Sequence, residues 1–282
     1  MELRKVHIQV PAKINVSLTV EPPRADGMHP ITSRMTKIAL YDDLEVTRLD
    51  DHALSRYAIL WHAEATRRTE IDWAVTNDLA VRAHRLLEKT VGQSLPIQMK
   101  LEKRIPVGSG LGGGSSDAAA MLQAITQLFQ LDVEVEETAI QLGSDVPFFL
   151  TGGAALVSGI GETVKPIAYE EQYFVLVIPE YCCQTAEVYA AFDTLGCSQN
   201  ADSANDLAFA ACKVVPQLAI DMEELHKLSG QKVHLSGSGS SMFIICDNAH
   251  HAITLAEIIE KQSALVALAT QTHFPQIELE RI

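Results

Sequence analysis

The sequence of 282 residues predicts an α+β fold, and three observations predict it. The N-terminal quarter alternates apolar and polar residues, as strands do. A glycine-rich segment at 106–116 leads into a long amphipathic helix pattern. The second half alternates strand-like and helix-like segments, which indicates a small α+β sandwich. With 47% hydrophobic residues, a chain of this length can form one large domain or two modest ones.

The first strand is predicted around residues 13–20. Apolar residues at 14, 16, 18 and 20 form one face, and Lys13 and Asn15 lie together on the other. From this spacing alone we interpret the polar face as a solvent-facing strand edge, with a functional face as the alternative. A proline- and glycine-containing turn follows at 22–27, just before His29. A second strand is predicted over 36–47.

A helix and a strand come next. Thr76 or Asn77 can cap the helix, and Gly92 ends it. The apolar stripe of this helix comprises Leu79, Ala83, Leu86 and Leu87. Alternating apolar residues then predict a strand over 95–101.

The segment 106–116 carries five glycines and runs into the helix pattern that ends near Phe129. Glycine permits positive φ, so successive backbone N–H groups can converge on one point. The helix that follows adds the positive end of its dipole, with Ser115 or Ser116 as cap and Asp117 in the first turn. We therefore predict an anion cradle for the phosphate chain of a nucleotide. A flexible turn with an ordinary cap is the alternative, but such a turn needs fewer glycines.

Two common phosphate-binding motifs fit this loop poorly. The Walker loop ends in Gly-Lys-Ser/Thr, which does not occur in the sequence. The Rossmann pattern matches through Gly108, Gly110 and Gly113, with Asp132 at a tolerable distance. That match is weak because basic residues and Pro106 interrupt the junction between strand and loop, and no clear second parallel strand follows Asp132.

Charge and composition exclude several classes of function. A net charge of −14 argues against a nucleic-acid or anionic-membrane partner. No apolar run reaches the roughly 18 residues of a membrane span, and the N-terminus lacks a secretory h-region. Five cysteines, which include the neighbours Cys182 and Cys183, indicate reduced thiols of a cytoplasmic protein, and the scattered histidines lack metal-site spacing.

An anionic substrate then requires a locally positive field. Lys100, Lys103 and Arg104 supply one beside the glycine loop, and Lys13 can add to it. A phosphate-binding role and a solvated strand end are both compatible with this basic trio.

Asp145 is an unusual carboxylate, since it follows a short helix predicted over 134–142 and precedes Pro147 and two phenylalanines. An acid at a helix C-terminus among apolar neighbours is badly placed for stability. A functional role and an Asx-turn are both open interpretations.

Beyond Asp145, four glycines between 152 and 161 indicate a crossover between the halves. Strands are predicted over 173–178, 232–235, 242–246 and 264–269, and helices over 203–212, 216–228 and 249–262.

Several segments together resemble a known kinase superfamily. The glycine loop resembles that of the galactokinase, homoserine kinase, mevalonate kinase and phosphomevalonate kinase (GHMP) superfamily. Segments 11–15, 26–29, 106–119 and 143–147 narrow the resemblance to the kinase family acting on 4-diphosphocytidyl-2-C-methyl-D-erythritol, and 205–207 and 235–239 agree. The resemblance implies a two-domain fold, with a ribosomal-S5-like ATP-binding half (1–160) and a ferredoxin-like half (161–282) around a substrate cleft.

The resemblance also implies transfer of the γ-phosphoryl group of ATP to the 2-hydroxyl of that substrate, in non-mevalonate isoprenoid synthesis. By this resemblance, Lys13 and Asp145 are the expected catalytic pair. Mg²⁺ is expected to bridge the phosphates near the hydroxyl of Ser115 or Ser116, with mostly water ligands. The implied ATP-binding residues are Pro106, Val107, Gly108, Ser109, Gly110, Leu111, Gly112, Gly113, Gly114, Ser115 and Ser116.

By the same resemblance, cytidine recognition falls to His29, to Tyr189 as a stacking platform, and to Thr185, while Asn15 touches the erythritol or its diphosphate. No protein partner is implied. Two departures stand out: Met28 replaces the tyrosine usual in the family, and the family's Asn-Leu is Asn77-Asp78-Leu79 here. Two alternative functions are considered. One is another GHMP kinase, of the mevalonate or homoserine type, and the other is a non-catalytic nucleotide sensor. Retention of both Lys13 and Asp145 argues against a sensor.

Overall fold

The computed structural model describes residues 3–196 and 204–273, and it confirms the α+β fold. The first of its two sheets has six strands. These are β1 (Lys5–Val20), β2 (Ile31–Arg48), β3 (Arg56–Trp61), β4 (Ile97–Lys103), β5 (Ala154–Gly159) and β6 (Thr163–Pro166).

The long β1–β2 hairpin organises this sheet. The two strands pair antiparallel along their whole length, with register shifts at Pro11/Ala12 and Asn15/Ser17. On its other edge, β2 pairs with β4 through one half and with β5 through the other half. β3 runs parallel to β4, and β6 pairs with β5. No strand of the described residues that follows the glycine loop pairs in parallel with β4, which is unlike a Rossmann unit.

The helices of this half are α1 (Leu79–Val91), α2 (Gly113–Phe129), α3 (Glu136–Leu142) and α4 (Val146–Phe149). The predicted cap of α1 is wrong: Val75–Asn77 form a 3₁₀ turn, and Asp78 Oδ1 accepts a hydrogen bond from Ala80 N at 2.9 Å. Gly92 ends α1 in the left-handed conformation, as predicted.

The predicted start of α2 is also wrong. The helix begins at Gly113, directly after left-handed Gly112, and no side chain caps it. Ser116 is already inside the helix, where its hydroxyl donates to Pro11 O at 2.7 Å. Asp117 was predicted in the first turn of the helix, but it lies beyond that turn, and it is buried. The start of the helix is therefore set by backbone conformation at a glycine and not by a serine cap.

The second sheet has four strands in the order β10-β7-β9-β8. Its strands are β7 (Tyr173–Ile178), β8 (His234–Leu235), β9 (Met242–Cys246) and β10 (Val266–Gln271), all within predicted segments or shifted by a few residues. Its helices are α5 (Thr185–Leu195), α6 (Ala208–Val214), α7 (Pro216–Ser229) and α8 (Ala249–Gln262). α5 was not predicted. The helix expected from 203 begins at Ala208, and residue 203 itself lies outside the described residues.

A shared apolar cluster joins the two sheets. Ala12, Ile14 and Ile38 of the first sheet pack with Phe174, Leu176 and Phe243 of the second. Lys13 and Asn15, on the opposite face of β1, are buried as well, because Gly112 and Phe149 lie against Lys13 and Gly237 lies against Asn15. The interpretation of this polar face as a solvent-facing edge is therefore wrong. The division at residues 160 and 161 stays a proposal, and the first sheet itself extends to Pro166 through β6. No helix of the described residues is long and apolar enough to cross a membrane.

Candidate active site

The glycine loop between β4 and α2 turns through alternating left-handed residues. Gly108, Gly110 and Gly112 have φ of 69°, 79° and 70°. A Cβ on Gly112 would lie 3.0 Å from both Lys13 Cγ and the Phe149 ring. Leu111 O accepts a hydrogen bond from Lys13 N at 2.9 Å. The loop is thus a close-packed turn against β1 and α4, ending at the N-terminus of a helix of 17 residues, where backbone N–H groups attract anions.

Lys13 and Asp145 meet beside this loop. Lys13 Nζ lies 3.3 Å from Asp145 Oδ2, and the Lys13 side chain is buried while that of Asp145 is 28% exposed. Asp145 precedes α4, but its side chain makes no capping hydrogen bond to that helix. The structure therefore does not show the capping bond of a local turn, and a functional role for this carboxylate stays a prediction.

Asn15 fixes the lysine from the other side. Its Oδ1 accepts from Lys13 Nζ at 2.6 Å, and its Nδ2 donates to Ser33 Oγ at 2.8 Å. Ser33 Oγ in turn donates to Ser17 O at 2.7 Å. This chain of hydrogen bonds orients the amide of Asn15, so that its oxygen faces the lysine. Ser33 was not singled out in the sequence, because nothing in a strand pattern distinguishes it.

A second glycine–serine loop, Ser236–Ser241, lies on the first. Ser236 Oγ donates to Gly110 O at 3.1 Å, and Ser241 N donates to Ser109 O at 3.0 Å. A Cβ on Gly237 would lie 3.1 Å from Asn15 Oδ1. Asn205 donates to the carbonyls of Leu235 and Gly237, which holds the second loop in place. The two loops and the lysine therefore form one site shared by both sheets.

His29 lies against α5. Its ring centroid is 5.0 Å from that of Tyr189, and its Nε2 lies 2.7 Å from Asp193 Oδ1. Burial, followed by the negative charge of Asp145, raises the pKa of Tyr189 to about 12. Tyr189 thus lies in the field of the Asp145 carboxylate. The structure brings together His29 and Tyr189; Asp193 was missed because α5 was not predicted.

Thr185 and Met28 lie at the edges of this region. Thr185 Oγ1 is 2.9 Å from Ser238 Oγ, so the first residue of α5 contacts the second glycine–serine loop. Met28, which replaces the family's usual tyrosine, is 47% exposed.

Lys103, one of the basic trio beside the loop, has a different role from both that were expected. Lys103 is buried and paired with Asp42 at 2.5 Å and Asp117 at 2.6 Å. Lys100 pairs with Glu102 at 2.7 Å, and Arg104 pairs with Asp43 at 2.7 Å. Because each cation has a carboxylate partner, the trio supplies little free positive charge to a phosphate. Lys103 is instead a structural cation inside the first sheet.

Asn77 and Asp78, where the chain departs from the family's Asn-Leu, take different structural positions. Asp78 caps α1, while Asn77 is the exposed last residue of the 3₁₀ turn. Among residues 3–196 and 204–273, no group of three or more His, Cys, Asp and Glu residues is placed to hold a metal ion.

Known proteins resemble this chain over most of its length. Residues 78–153 match the family model described as GHMP kinases N terminal domain. The 4-diphosphocytidyl-2-C-methyl-D-erythritol kinase of Desulfitobacterium hafniense (strain Y51) is 35% identical over 271 residues, covering 88% of this chain and 89% of that protein. The protein of the same name from Polaromonas sp. (strain JS666 / ATCC BAA-500) is also 35% identical, covering 89% and 85%.

Solved structures agree with these relatives. A 4-(cytidine 5'-diphospho)-2C-methyl-D-erythritol kinase superposes with a TM-score of 0.77 at 31% identity, covering 95% of this chain and 99% of that one. A mevalonate kinase of L. major has a TM-score of 0.69 at 14% identity, with 95% of each chain covered, which shows a shared fold alone. The relatives thus do not favour the mevalonate-type or homoserine-type alternative. This chain belongs to the 4-diphosphocytidyl-2-C-methyl-D-erythritol kinase family, a family of ATP-dependent small-molecule kinases within the GHMP superfamily.

Proposed function

We propose that this chain transfers the γ-phosphoryl group of ATP to the 2-hydroxyl of 4-diphosphocytidyl-2-C-methyl-D-erythritol. The observation that carries the proposal is the Lys13–Asp145 pair, at 3.3 Å, beside the glycine loop at the start of α2. Phosphoryl transfer depends mainly on alignment of the reactants and on neutralising the charge of the moving group. A phosphate cradle, a cation and a partly exposed carboxylate provide these functions.

Asp145 is the proposed general base. As the 2-hydroxyl oxygen forms its bond to the γ-phosphorus and ADP leaves, the carboxylate accepts the hydroxyl proton. The buried cation of Lys13 lies 3.3 Å from that carboxylate and faces the equatorial oxygens of the transferred group. Asn15 holds the ammonium in this position through its 2.6 Å hydrogen bond.

The glycine loop is the proposed phosphate site. Positive φ at three of its glycines turns the backbone, and the N-terminus of α2 places N–H groups without helical partners at its end. Residues 106–116 are the proposed ATP contacts, although Ser109 and Ser116 already donate their hydroxyls to Pro106 O and Pro11 O.

Mg²⁺ is proposed as the metal that accompanies ATP. The hydroxyl of Ser115 or Ser116 is a hard oxygen ligand, and so small a set of protein ligands fits a cation that keeps most of its water. When bound, the ion would neutralise charge on the phosphate oxygens.

Cytidine recognition is proposed for the His29–Tyr189 region, with Thr185 beside it. An aromatic face stacked on a base contributes about 1–3 kcal/mol in nucleic-acid complexes. Tyr189 can provide such a face. Met28 can pack on a ring more loosely than the tyrosine it replaces. The prediction of a cytoplasmic location and the prediction that nucleic acid, membrane and protein partners are not needed remain part of the proposal.

An assay of ADP release tests this function. The purified chain is mixed with ATP, Mg²⁺ and 4-diphosphocytidyl-2-C-methyl-D-erythritol, and parallel reactions contain mevalonate or homoserine. We expect ADP with the cytidyl substrate and only background with the other two. ADP formed with mevalonate or homoserine would contradict the substrate assignment, and no ADP with any acceptor would contradict kinase activity.

A further inference from the structure

Lys37 is a buried cation to which the proposed chemistry assigns no role. It lies on β2 directly opposite Lys13 of β1, and both side chains are buried. Like charges that face each other across two strands repel, and a buried ammonium without a counter-charge is costly. None of the ion pairs formed among residues 3–196 and 204–273 includes Lys37. Such an arrangement requires a compensating interaction.

Backbone carbonyls provide that interaction. Lys37 Nζ donates to Phe149 O at 3.0 Å and to Thr151 O at 2.5 Å. The ammonium also lies 5.8 Å from the ring centroids of Phe148 and Phe149, within the range of a cation–π contact. In addition, Lys37 N donates to Gly153 O at 2.8 Å. Both the main chain and the side chain of Lys37 therefore hold the segment that follows α4.

The two lysines hold opposite ends of the same short helix. Lys13 faces Asp145 at the N-terminal end of α4, and Lys37 binds carbonyls at its C-terminal end. The Phe149 ring, carried by this helix, also limits the space at Gly112 of the glycine loop. A shift of α4 would therefore move the carboxylate and the loop together.

We propose that Lys37 is a positioning residue, which fixes α4 so that Asp145 faces Lys13 and the acceptor hydroxyl. The inference rests on the proposed function, since Asp145 is the group that is positioned. Lys37 does not touch the reacting atoms; it acts through the backbone of α4. Displacement of a reacting group by about 1 Å can lower a rate by about a hundredfold.

Lys37 carries a positive charge at neutral pH while it binds these carbonyls. Burial lowers its pKa to about 8, so the cation predominates at neutral pH. Among the described residues, Lys13 lies opposite Lys37 on β1, and His273, after β10, donates its backbone N–H to Lys37 O. The pKa of His273 is lowered to about 4, first by burial and then by the charge of Lys37. Neutral His273 therefore adds no second positive charge near physiological pH.

Hydrogen exchange of the whole chain without substrate tests the positioning directly. In Lys37→Met, we expect amides in 143–153 to exchange at least about fivefold faster than in the original chain, with other segments unchanged. Lys37→Arg, which keeps a cation and its donors, should restore part of the protection. Lys165→Met is the matched control, because it makes the same change at an exposed lysine of β6, outside residues 143–153.

Kinetic measurements then test whether the position of α4 affects kcat. We expect Lys37→Met to lower kcat about tenfold while KM for ATP changes by less than about twofold, with partial rescue in Lys37→Arg. Unchanged exchange in 143–153, faster exchange spread over the whole chain, or an unchanged kcat would each overturn the inference. Exchange is measured without any acceptor, so failure of the proposed substrate would leave this result standing.

Discussion

Lys13 Nζ lies 3.3 Å from Asp145 Oδ2, although the two residues come from opposite ends of the first half of the chain. The lysine is buried within the sheet, whereas the carboxylate keeps 28% of its side chain exposed. The cation is therefore held by Asn15 and Asp145, and the carboxylate is the partner with more surface open to a ligand. This asymmetry suits a base that must contact an incoming hydroxyl.

The first prediction concerns that carboxylate. Asp145→Asn keeps the shape but removes the proton acceptor and the charge, so kcat should fall at least about a hundredfold. Affinity for ATP should change little, since the glycine loop remains. ADP release measures kcat, and calorimetry measures the Kd for ATP. Asp247→Asn is the control, because that carboxylate is 91% exposed. Near-normal turnover in Asp145→Asn would remove this residue from the mechanism.

The sequence predicted the elements whose pattern is local. α8 over Ala249–Gln262 and β7 over Tyr173–Ile178 have the predicted bounds, since their apolar periodicity reflects a simple buried face. The start of α2 could not be predicted in the same way. It depends on left-handed Gly112 and on the contact between Ser116 and Pro11, which is distant in sequence.

In the site, too, features carried by one short segment were predicted, and features that depend on contacts between distant segments were not. The glycine loop and the unusual carboxylate were recognisable, because their residue types are costly without a role. The burial of Lys13 was not, since alternation within one strand cannot reveal that the glycine loop and Phe149 pack against its polar face. Lys103 was misjudged for a similar reason: its partners Asp42 and Asp117 come from β2 and α2. Ion pairs between elements leave no signal in sequence spacing.

The second prediction tests the packing of the two glycine loops. A Cβ on Gly110 would lie within 2.9 Å of Gly239 O, and the positive φ adds backbone strain. Gly110→Ala should therefore push the loops apart and weaken ATP binding by at least about tenfold, a change of about 1.4 kcal/mol. Gly92→Ala is the matched control, since Gly92 also has positive φ but nothing within 4 Å of its Cβ position. Equal ATP affinities for the two variants would contradict this account.

The third prediction concerns the buried charge cluster. Burial opposes the charged form of Lys103, but Asp117 and Asp42 outweigh it and raise the pKa of this lysine. Lys103→Met leaves two buried carboxylates without their cation, so the free energy of unfolding should fall by about 3–5 kcal/mol. Urea denaturation at neutral pH measures it. Lys100→Met, which removes an exposed pair with Glu102, should change stability little. Equal stability of the two variants would show that Lys103 is not a structural cation.

The last prediction separates the effect of Lys37 on the stability of the protein from its effect on activity. Burial lowers its pKa from 10.5 to about 8, so charging it in the folded state costs about 3 kcal/mol at about 1.4 kcal/mol per pKa unit. Below pH 8 both the folded and the unfolded chain bind this proton, and the folded chain bears the full cost. Between about pH 8 and pH 10.5 the folded chain has released the proton while the unfolded chain retains it, so stability rises with pH.

Lys37→Met does not carry this cost. The free energy of unfolding of the variant minus that of the original chain should therefore be largest below pH 8. This difference should fall by up to about 3 kcal/mol between pH 8 and pH 10.5. Urea denaturation of both chains at pH 7 and pH 10 measures this difference. Lys165→Met, at an exposed lysine of β6, should show a difference that does not vary with pH. If Lys37→Met behaved like Lys165→Met, the ammonium would not be desolvated. If the expected pH dependence is found together with a lower kcat, the buried cation is retained for activity at the expense of stability.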